Sequence, residues 1–192
     1  MSLTNAFIYA TLRLYFERRN IQMKVIPCGQ MADGPADKPT VIDPVHAILD
    51  VPIYYFTQRG PVLTSRTLFC ARLFSSTVLT VMEQWCEKYH FALVHLGLYF
   101  PRFARHADGT PILPQRWSNH AFACALDTKG MLTKQDDPDS LIVMSDMKIH
   151  APEKYNELVD GCQAAIVKAG HKPEIVDEGN NLWLHIGLFP PE

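Results

Sequence analysis

The segment from Ser118 to Asp127, SNHAFACALD, holds a hydroxyl, an imidazole and a carboxylate close together in the chain. Imidazole nitrogen and carboxylate oxygen bind zinc at about 2.0–2.2 Å, so two ligands of one ion need donor atoms within about 4 Å. Over seven residues a straight strand would separate His120 from Asp127 by about 23 Å, and a helix would separate them by about 10 Å. A shared metal ion therefore requires the chain to reverse or bulge between them, which the small residues there permit.

A third ligand is needed if one position of a tetrahedral site stays open for water. His185 is the best-placed histidine, because alternation in LWLHIGL puts the leucines and the isoleucine on one face and Trp183, His185 and Gly187 on the other. The apolar face can be buried while His185 points into a cleft. Without a metal, His120 and Asp127 would be buried structural partners, and Asp-Thr-Lys-Gly would be a turn capped by Asp127.

The remaining pattern predicts an α+β fold, with a small antiparallel sheet and flanking helices. A chain of 192 residues that is 47% hydrophobic can build one sizeable core, so residues 1–192 are expected to form a single domain. Periodicity and turn residues predict the following elements: helices at 3–19, 65–89 and 151–170, strands at 23–28, 49–56 (an edge strand, because of Pro52), 91–100 and 181–189, and loops at 29–44, 106–117 and 128–140.

Composition excludes several classes of partner. The net charge of −2 and the lack of a basic stripe argue against nucleic acid, and no apolar run is long enough to predict a membrane span. Five widely spaced cysteines favour reduced thiols over a disulfide framework. The first residues lack the features of a signal peptide, which predicts synthesis in the cytoplasm.

The pattern Ser118-x-His120-x-x-Ala123-x-Ala125-x-Asp127 resembles the SxHxxGxAxD signature of LAS-type zinc metallopeptidases. It is most similar to the D-Ala-D-Ala carboxypeptidase-like branch, which includes phage endolysins and extensin-like proteins and is related to hedgehog-type domains. That branch has a Tyr/Arg element before the signature and W-x-H on its last strand, similar to LYFPRFAR at 98–105 and WLH at 183–185 here. The resemblance covers about residues 90–189, the metallopeptidase-like core, and leaves 1–65 as an N-terminal helix and loop region of unclear role.

The resemblance implies a hedgehog/DD-peptidase-like fold and assigns a role to each matching residue. The zinc ligands would be His120, Asp127 and His185. Arg102, or alternatively Arg105, would stabilise the oxyanion of the tetrahedral intermediate. Ser118 would steady the ligand segment by hydrogen bonding. The substrate-binding residues would be Trp183, Ser118 and Tyr99.

Two positions depart from the family pattern. Ala123 stands where the signature has glycine, which is a mild change if its φ is negative and a strained one if φ is positive. Leu182 stands where many members have the general-base glutamate, three residues before the last histidine. Glu178 or Asp177 would then have to take the proton from the attacking water and pass it to the leaving amine.

The implied activity is zinc-dependent hydrolysis of a short peptide, a peptidoglycan stem or cross-link with D-amino acids, with the chain released to or acting at the cell wall. The alternative is a catalytically inactive, zinc-binding structural or cell-wall-binding module, for which the leucine at 182 is the main support. A third hypothesis has no metal, and metal analysis separates it from the other two.

Overall fold

The structure is a computed structural model that describes residues 24–27, 41, 43–99, 103–104, 106, 110, 113, 117–179 and 183–189. The predicted helix at 3–19 lies outside the described residues, as do most of the loop at 29–44, Arg102, Arg105 and Leu182.

The larger of two sheets has seven strands in the order β4-β3-β6-β7-β10-β9, with β8 paired to β7. Its strands are β3 (Ile53–Thr57), β4 (Gly60–Leu63), β6 (Ala92–Gly97), β7 (Ala125–Leu132), β8 (Leu141–Val143), β9 (Pro173–Glu178) and β10 (Trp183–Leu188). The α+β class is confirmed, but the sheet is neither small nor purely antiparallel. Strands β3 and β6 are parallel, because a helical crossover connects them in the chain.

The smaller sheet has three antiparallel strands in the order β1-β2-β5, namely β1 (Lys24–Pro27), β2 (Pro44–Ile48) and β5 (Thr67–Ala71). Residues 24–63 contribute strands to both sheets, where β1 lies within the strand predicted at 23–28 and β3 overlaps the strand predicted at 49–56. The prediction that 49–56 is an edge strand was wrong, since β3 lies between β4 and β6. Pro52 stands just before β3, where it needs no N–H, and its carbonyl accepts a hydrogen bond from Leu93 N–H at 3.0 Å.

In the part of the chain that the structure describes, three helices pack on one face of the larger sheet. They are α1 (Thr80–Tyr89), α2 (Met144–His150) and α3 (Pro152–Lys168), and a short turn (Arg72–Phe74) and a π-helical turn (Ser75–Leu79) lead into α1. Helix α3 begins at Pro152, one residue after the predicted start, and ends at Lys168, two residues before the predicted end. The predicted helix at 65–89 begins late, because residues 67–71 belong to β5, and the predicted loop at 128–140 begins late, because β7 continues to Leu132. Helix α2 and strand β9 were not predicted, since both are short and half-polar.

The main core lies between the helices and the sheets, and a smaller apolar cluster covers the opposite face of the larger sheet. On β10 the leucines and Ile186 belong to the main core, so Trp183, His185 and Gly187 project from the opposite face. We call this the triad face, the side of the larger sheet that carries Asp127, Trp183 and His185. No helix among the described residues is both long and apolar enough to span a membrane.

Candidate metal centre

A tight turn carries His120 and reverses the chain before Asp127. The turn is a 3-10 helix over Asn119–Phe122, and the Ser118 hydroxyl caps it by accepting a hydrogen bond from His120 N–H at 3.3 Å. Ala123 then adopts a left-handed conformation, with φ 54° and ψ 35°. The chain therefore reverses between the two residues, as a shared ion requires, and the position of the signature glycine has the positive φ that strains an alanine.

Backbone hydrogen bonds join this turn to two neighbouring strands. Ala71 N–H on β5 donates to the Ala123 carbonyl at 3.1 Å, and Leu188 N–H on β10 donates to the Cys124 carbonyl at 3.0 Å. His120 itself is 1% exposed. The position of His120 is thus determined by both sheets, although its partner Asp127 is only seven residues away in the chain.

Asp127 is the point on which both histidines converge. Asp127 and His185 are directly paired across β7 and β10, and Asp127 Oδ1 lies 2.8 Å from His185 Nδ1. The same oxygen lies 3.2 Å from His120 Nε2, and the two imidazole rings meet edge to face with centroids 5.1 Å apart. One ligand atom from each of the three residues lies within 4.8 Å of the others, so the group could hold a metal ion.

The hydrogen bond on the far side of His120 determines which nitrogen can bind a cation. His120 Nδ1 lies 2.8 Å from the Leu98 carbonyl, which can only accept, so Nδ1 carries the proton and donates. In the neutral ring Nε2 is then a bare lone pair facing the carboxylate of Asp127. A metal ion bound by both groups would lie between these two acceptors, which are 3.2 Å apart.

His185 lies between two carboxylates. Its Nδ1 faces Asp127, and its Nε2 lies 3.4 Å from Glu174 Oε2. Burial alone would lower the pKa of His185, but hydrogen bonds and charge from Asp127 and Glu174 outweigh burial and raise it to about 9. Burial alone would raise the pKa of Asp127, but the two histidines hold it well below its ordinary value. Without a metal, His185 therefore carries a proton that a metal ion would have to displace.

Two of the three donor distances can be compared with those around a tetrahedral ion. Bonds of about 2.1 Å at tetrahedral angles separate neighbouring donors by about 3.4 Å. The distances from Asp127 Oδ1 to the two histidine nitrogens are 3.2 and 2.8 Å. Two imidazoles and one carboxylate with one position open suit zinc, and the same donors also bind other divalent first-row metals.

The two carboxylates expected as general base lie on opposite faces of the sheet. Asp177 pairs with the buried Leu184 and forms an ion pair with Lys148 of α2, so it lies on the helix side, away from the triad. Glu178 pairs with Trp183 and therefore lies on the triad face. Side chains alternate between the two faces along β9, which separates these neighbours.

The structure also places the three residues expected to bind substrate. Ser118 caps the turn beside the site, and Trp183 is half-buried on the triad face. Tyr99 packs against the main core, and its ring meets the Phe69 ring edge to face with centroids 5.4 Å apart. Of the three, Trp183 is the one on the sheet face that carries the triad.

Three residues near the site were missed from the sequence. Glu174 accepts a hydrogen bond from Asn119 Nδ2 at 2.5 Å, and Lys129 Nζ lies 5.8 Å from the centre of the Trp183 ring. Alternation in PEIVDE would have put Glu174, Val176 and Glu178 on one face, had this stretch been taken as a strand.

No family model matches this chain, and neither a curated protein nor a solved structure matches it.

Proposed function

We propose that this chain is a zinc-dependent peptidase of the LAS type, with His120, Asp127 and His185 as the zinc ligands. The observation that carries the proposal is the convergence of two histidine nitrogens on one carboxylate oxygen, with the far nitrogen of each ring already engaged. The resemblance of the signature and of the W-x-H element to that family supports the choice of zinc and of a hydrolytic reaction.

When bound, zinc supplies a Lewis acid and lowers the pKa of a water molecule toward neutrality. The residues of the chain do the rest. The Leu98 carbonyl keeps the Nδ1 proton on His120 and so keeps Nε2 directed at the ion. Ser118 holds the backbone of His120 in place through its hydroxyl. Burial of His120 and Asp127 excludes bulk water from one side of the site and strengthens electrostatic interactions there.

Glu178 is our choice of general base, because it lies on the triad face and Asp177 does not. Its carboxylate would take a proton from the attacking water and deliver it to the nitrogen of the leaving amine. The oxyanion is assigned to Arg102, following the Tyr/Arg element of the resemblance. Lys129, beside Trp183, is a further cation on this face that could attract the carboxylate end of a peptide.

The proposed substrate is a short peptide of peptidoglycan, a stem or cross-link containing D-amino acids. Support comes from the closeness of the signature to the D-Ala-D-Ala carboxypeptidase-like branch. Peptidoglycan lies outside the plasma membrane, so the chain would act at the cell wall after release from its site of synthesis. Trp183, Ser118 and Tyr99 remain the proposed substrate-binding residues, and Trp183 has the strongest structural support.

Glu178→Gln tests the proposal, with Asp177→Asn as the matched control. Both changes remove one negative charge from adjacent residues, but only Glu178 is on the triad face. We expect Glu178→Gln to lower kcat on muropeptides by about 10²–10⁴-fold with zinc retained, which is the usual contribution of a general base. Asp177→Asn should keep both zinc and activity. Equal losses in the two variants, or a larger loss in Asp177→Asn, would contradict the assignment.

The second candidate function is a zinc-binding module without catalysis. The observation that favours it is the leucine at 182, together with the location of Glu178 on β9, an edge strand of the larger sheet. Stoichiometric zinc in the purified protein, with no hydrolysis of any muropeptide by the wild type, would select this candidate. Absence of bound metal, and no change in stability with a chelator, would reject both functions.

A further inference from the structure

A fourth polar side chain meets the triad from the neighbouring strand. Glu174 on β9 lies opposite Gly187 of β10, and its Oε2 is 3.4 Å from His185 Nε2. The same oxygen accepts a hydrogen bond from the side-chain amide of Asn119, which is 1% exposed. Glu174 is therefore held by the turn that carries His120 while it contacts the ring of His185.

Gly187 provides the room for this contact. A Cβ at this position would lie 3.1 Å from His185 Nε2, 3.5 Å from Asn119 Nδ2 and 3.1 Å from the Cβ of Ala125. The imidazole of His185 and the side-chain amide of Asn119 thus occupy the space that a side chain at position 187 would fill, directly opposite Glu174. Glycine at this position lets the His185 ring lie close to the backbone, and a larger residue would displace the ring.

We infer that Glu174 is the positioning residue for His185. Its carboxylate accepts the proton of Nε2, which leaves the Nδ1 lone pair directed at Asp127 Oδ1 and at the ion. The Leu98 carbonyl does the same for the other ring, since it accepts from Nδ1 of His120. Each imidazole would then be oriented from behind by an acceptor, an arrangement that raises the basicity of a metal-binding histidine. The inference rests on the proposed zinc site.

The geometry separates this role from those of ligand and general base. Glu174 contacts Nε2, the ring nitrogen on the far side from the one that meets Asp127. It therefore acts through His185, and removing it should change the affinity for zinc even when no substrate is present.

The test is a competitive titration of zinc against a chromophoric chelator, for the full chain and three variants. We expect Glu174→Ala to weaken zinc binding by about 10–100-fold, the usual effect of losing such a partner. Glu174→Gln, which keeps an acceptor oxygen, should lose less. Asp177→Asn is the matched control, because it removes a carboxylate from the same strand but on the opposite face, and its zinc affinity should equal that of the wild type.

A second readout follows the tautomer of His185. In the zinc form, ¹⁵N-edited NMR of the ring should find the proton of His185 on Nε2 and protected from exchange in the wild type, and exchanging fast in Glu174→Ala. Gly187→Ala should weaken zinc binding without removing any polar group, which keeps the inference testable if Glu174→Ala does not fold. Zinc affinity unchanged in Glu174→Ala, or in a folded Gly187→Ala, would overturn the inference alone. A wild type that binds no zinc would overturn the proposed function.

Discussion

The orientation of each histidine ring at this site depends on the group that contacts its far nitrogen. The carboxylate of Asp127 is held ionised by two imidazoles, and each imidazole has an acceptor on its far nitrogen, the Leu98 carbonyl for His120 and Glu174 for His185. With the far nitrogens engaged in this way, the near nitrogens of both rings face one oxygen of Asp127, where a metal ion would be bound. The chemistry of the site is thus set by residues that would not themselves touch the ion.

Another buried histidine makes stability depend on pH. His95 is 7% exposed, its Nδ1 has no hydrogen-bond partner among the described residues, and burial lowers its pKa to about 4. Above pH about 6.5 the residue is neutral in both the folded and the unfolded chain. Between pH about 6.5 and 4 the unfolded chain binds a proton that the folded chain does not. The free energy of unfolding should therefore fall as the pH falls, by at most about 1.4 kcal/mol per pH unit.

Urea unfolding of the wild type and of His95→Gln at pH 7, 6 and 5 checks this expectation. The difference between the two proteins isolates His95, because all other titrating groups are common to both. The wild type should lose more stability than the variant between pH 7 and 5. Parallel losses would mean that His95 binds its proton equally well in the folded state.

Among the elements, the turn between Ser118 and strand β7 does most to form the site. The turn brings His120 and Asp127, which are seven residues apart in the chain, into contact. Its hydrogen bonds to β5 and β10 determine where the chain reverses. Its cost is a left-handed Ala123, buried in the main core. The β7–β10 register then brings His185 opposite Asp127, and a shift by one residue would move the imidazole to the helix side.

Ala123→Val should destabilise the protein by about 2–4 kcal/mol. A β-branched side chain is strained at positive φ, and position 123 is fully buried, so the added methyl groups would clash with the core. The matched Ala123→Gly relieves the strain but loses one buried methyl and adds freedom to the unfolded chain. It should therefore change stability by less than about 1 kcal/mol. Chemical denaturation of the two variants measures both values. A Val variant as stable as the wild type would show that the backbone relaxes out of the left-handed conformation.

In the molecule as a whole, the site lies where the two sheets are joined. His120 is held by the turn bonded to β5 of the smaller sheet, while Asp127 and His185 belong to the larger sheet. One continuous core includes residues of both sheets and of all three helices. An ion bound by all three residues would therefore fasten the turn to the larger sheet and should stabilise the entire fold.

The effect of a bound metal ion on stability can be measured by comparing the protein with zinc and without it. Free zinc at 100 times its Kd should raise the free energy of unfolding by about 2.7 kcal/mol. For a chain of this size that corresponds to a rise in Tm of about 5–10 °C. Thermal unfolding with zinc and with excess chelator gives the difference, and His120→Ala should abolish it. A Tm that zinc leaves unchanged in the wild type would contradict the proposed site.

The sequence alone determined which residue types are available for a metal site and at what spacing. Residue types and spacing predicted the three candidate ligands and the need for a reversal between His120 and Asp127. Periodicity and turn residues predicted the α+β class, because these signals depend only on residues close together in the chain. Only the tertiary structure decided that Asp177 faces the helices, that Ala123 is left-handed and that Glu174 meets His185 over Gly187. Those facts depend on strand register and on backbone hydrogen bonds between residues far apart in the chain, and no pattern within a single strand encodes its neighbour.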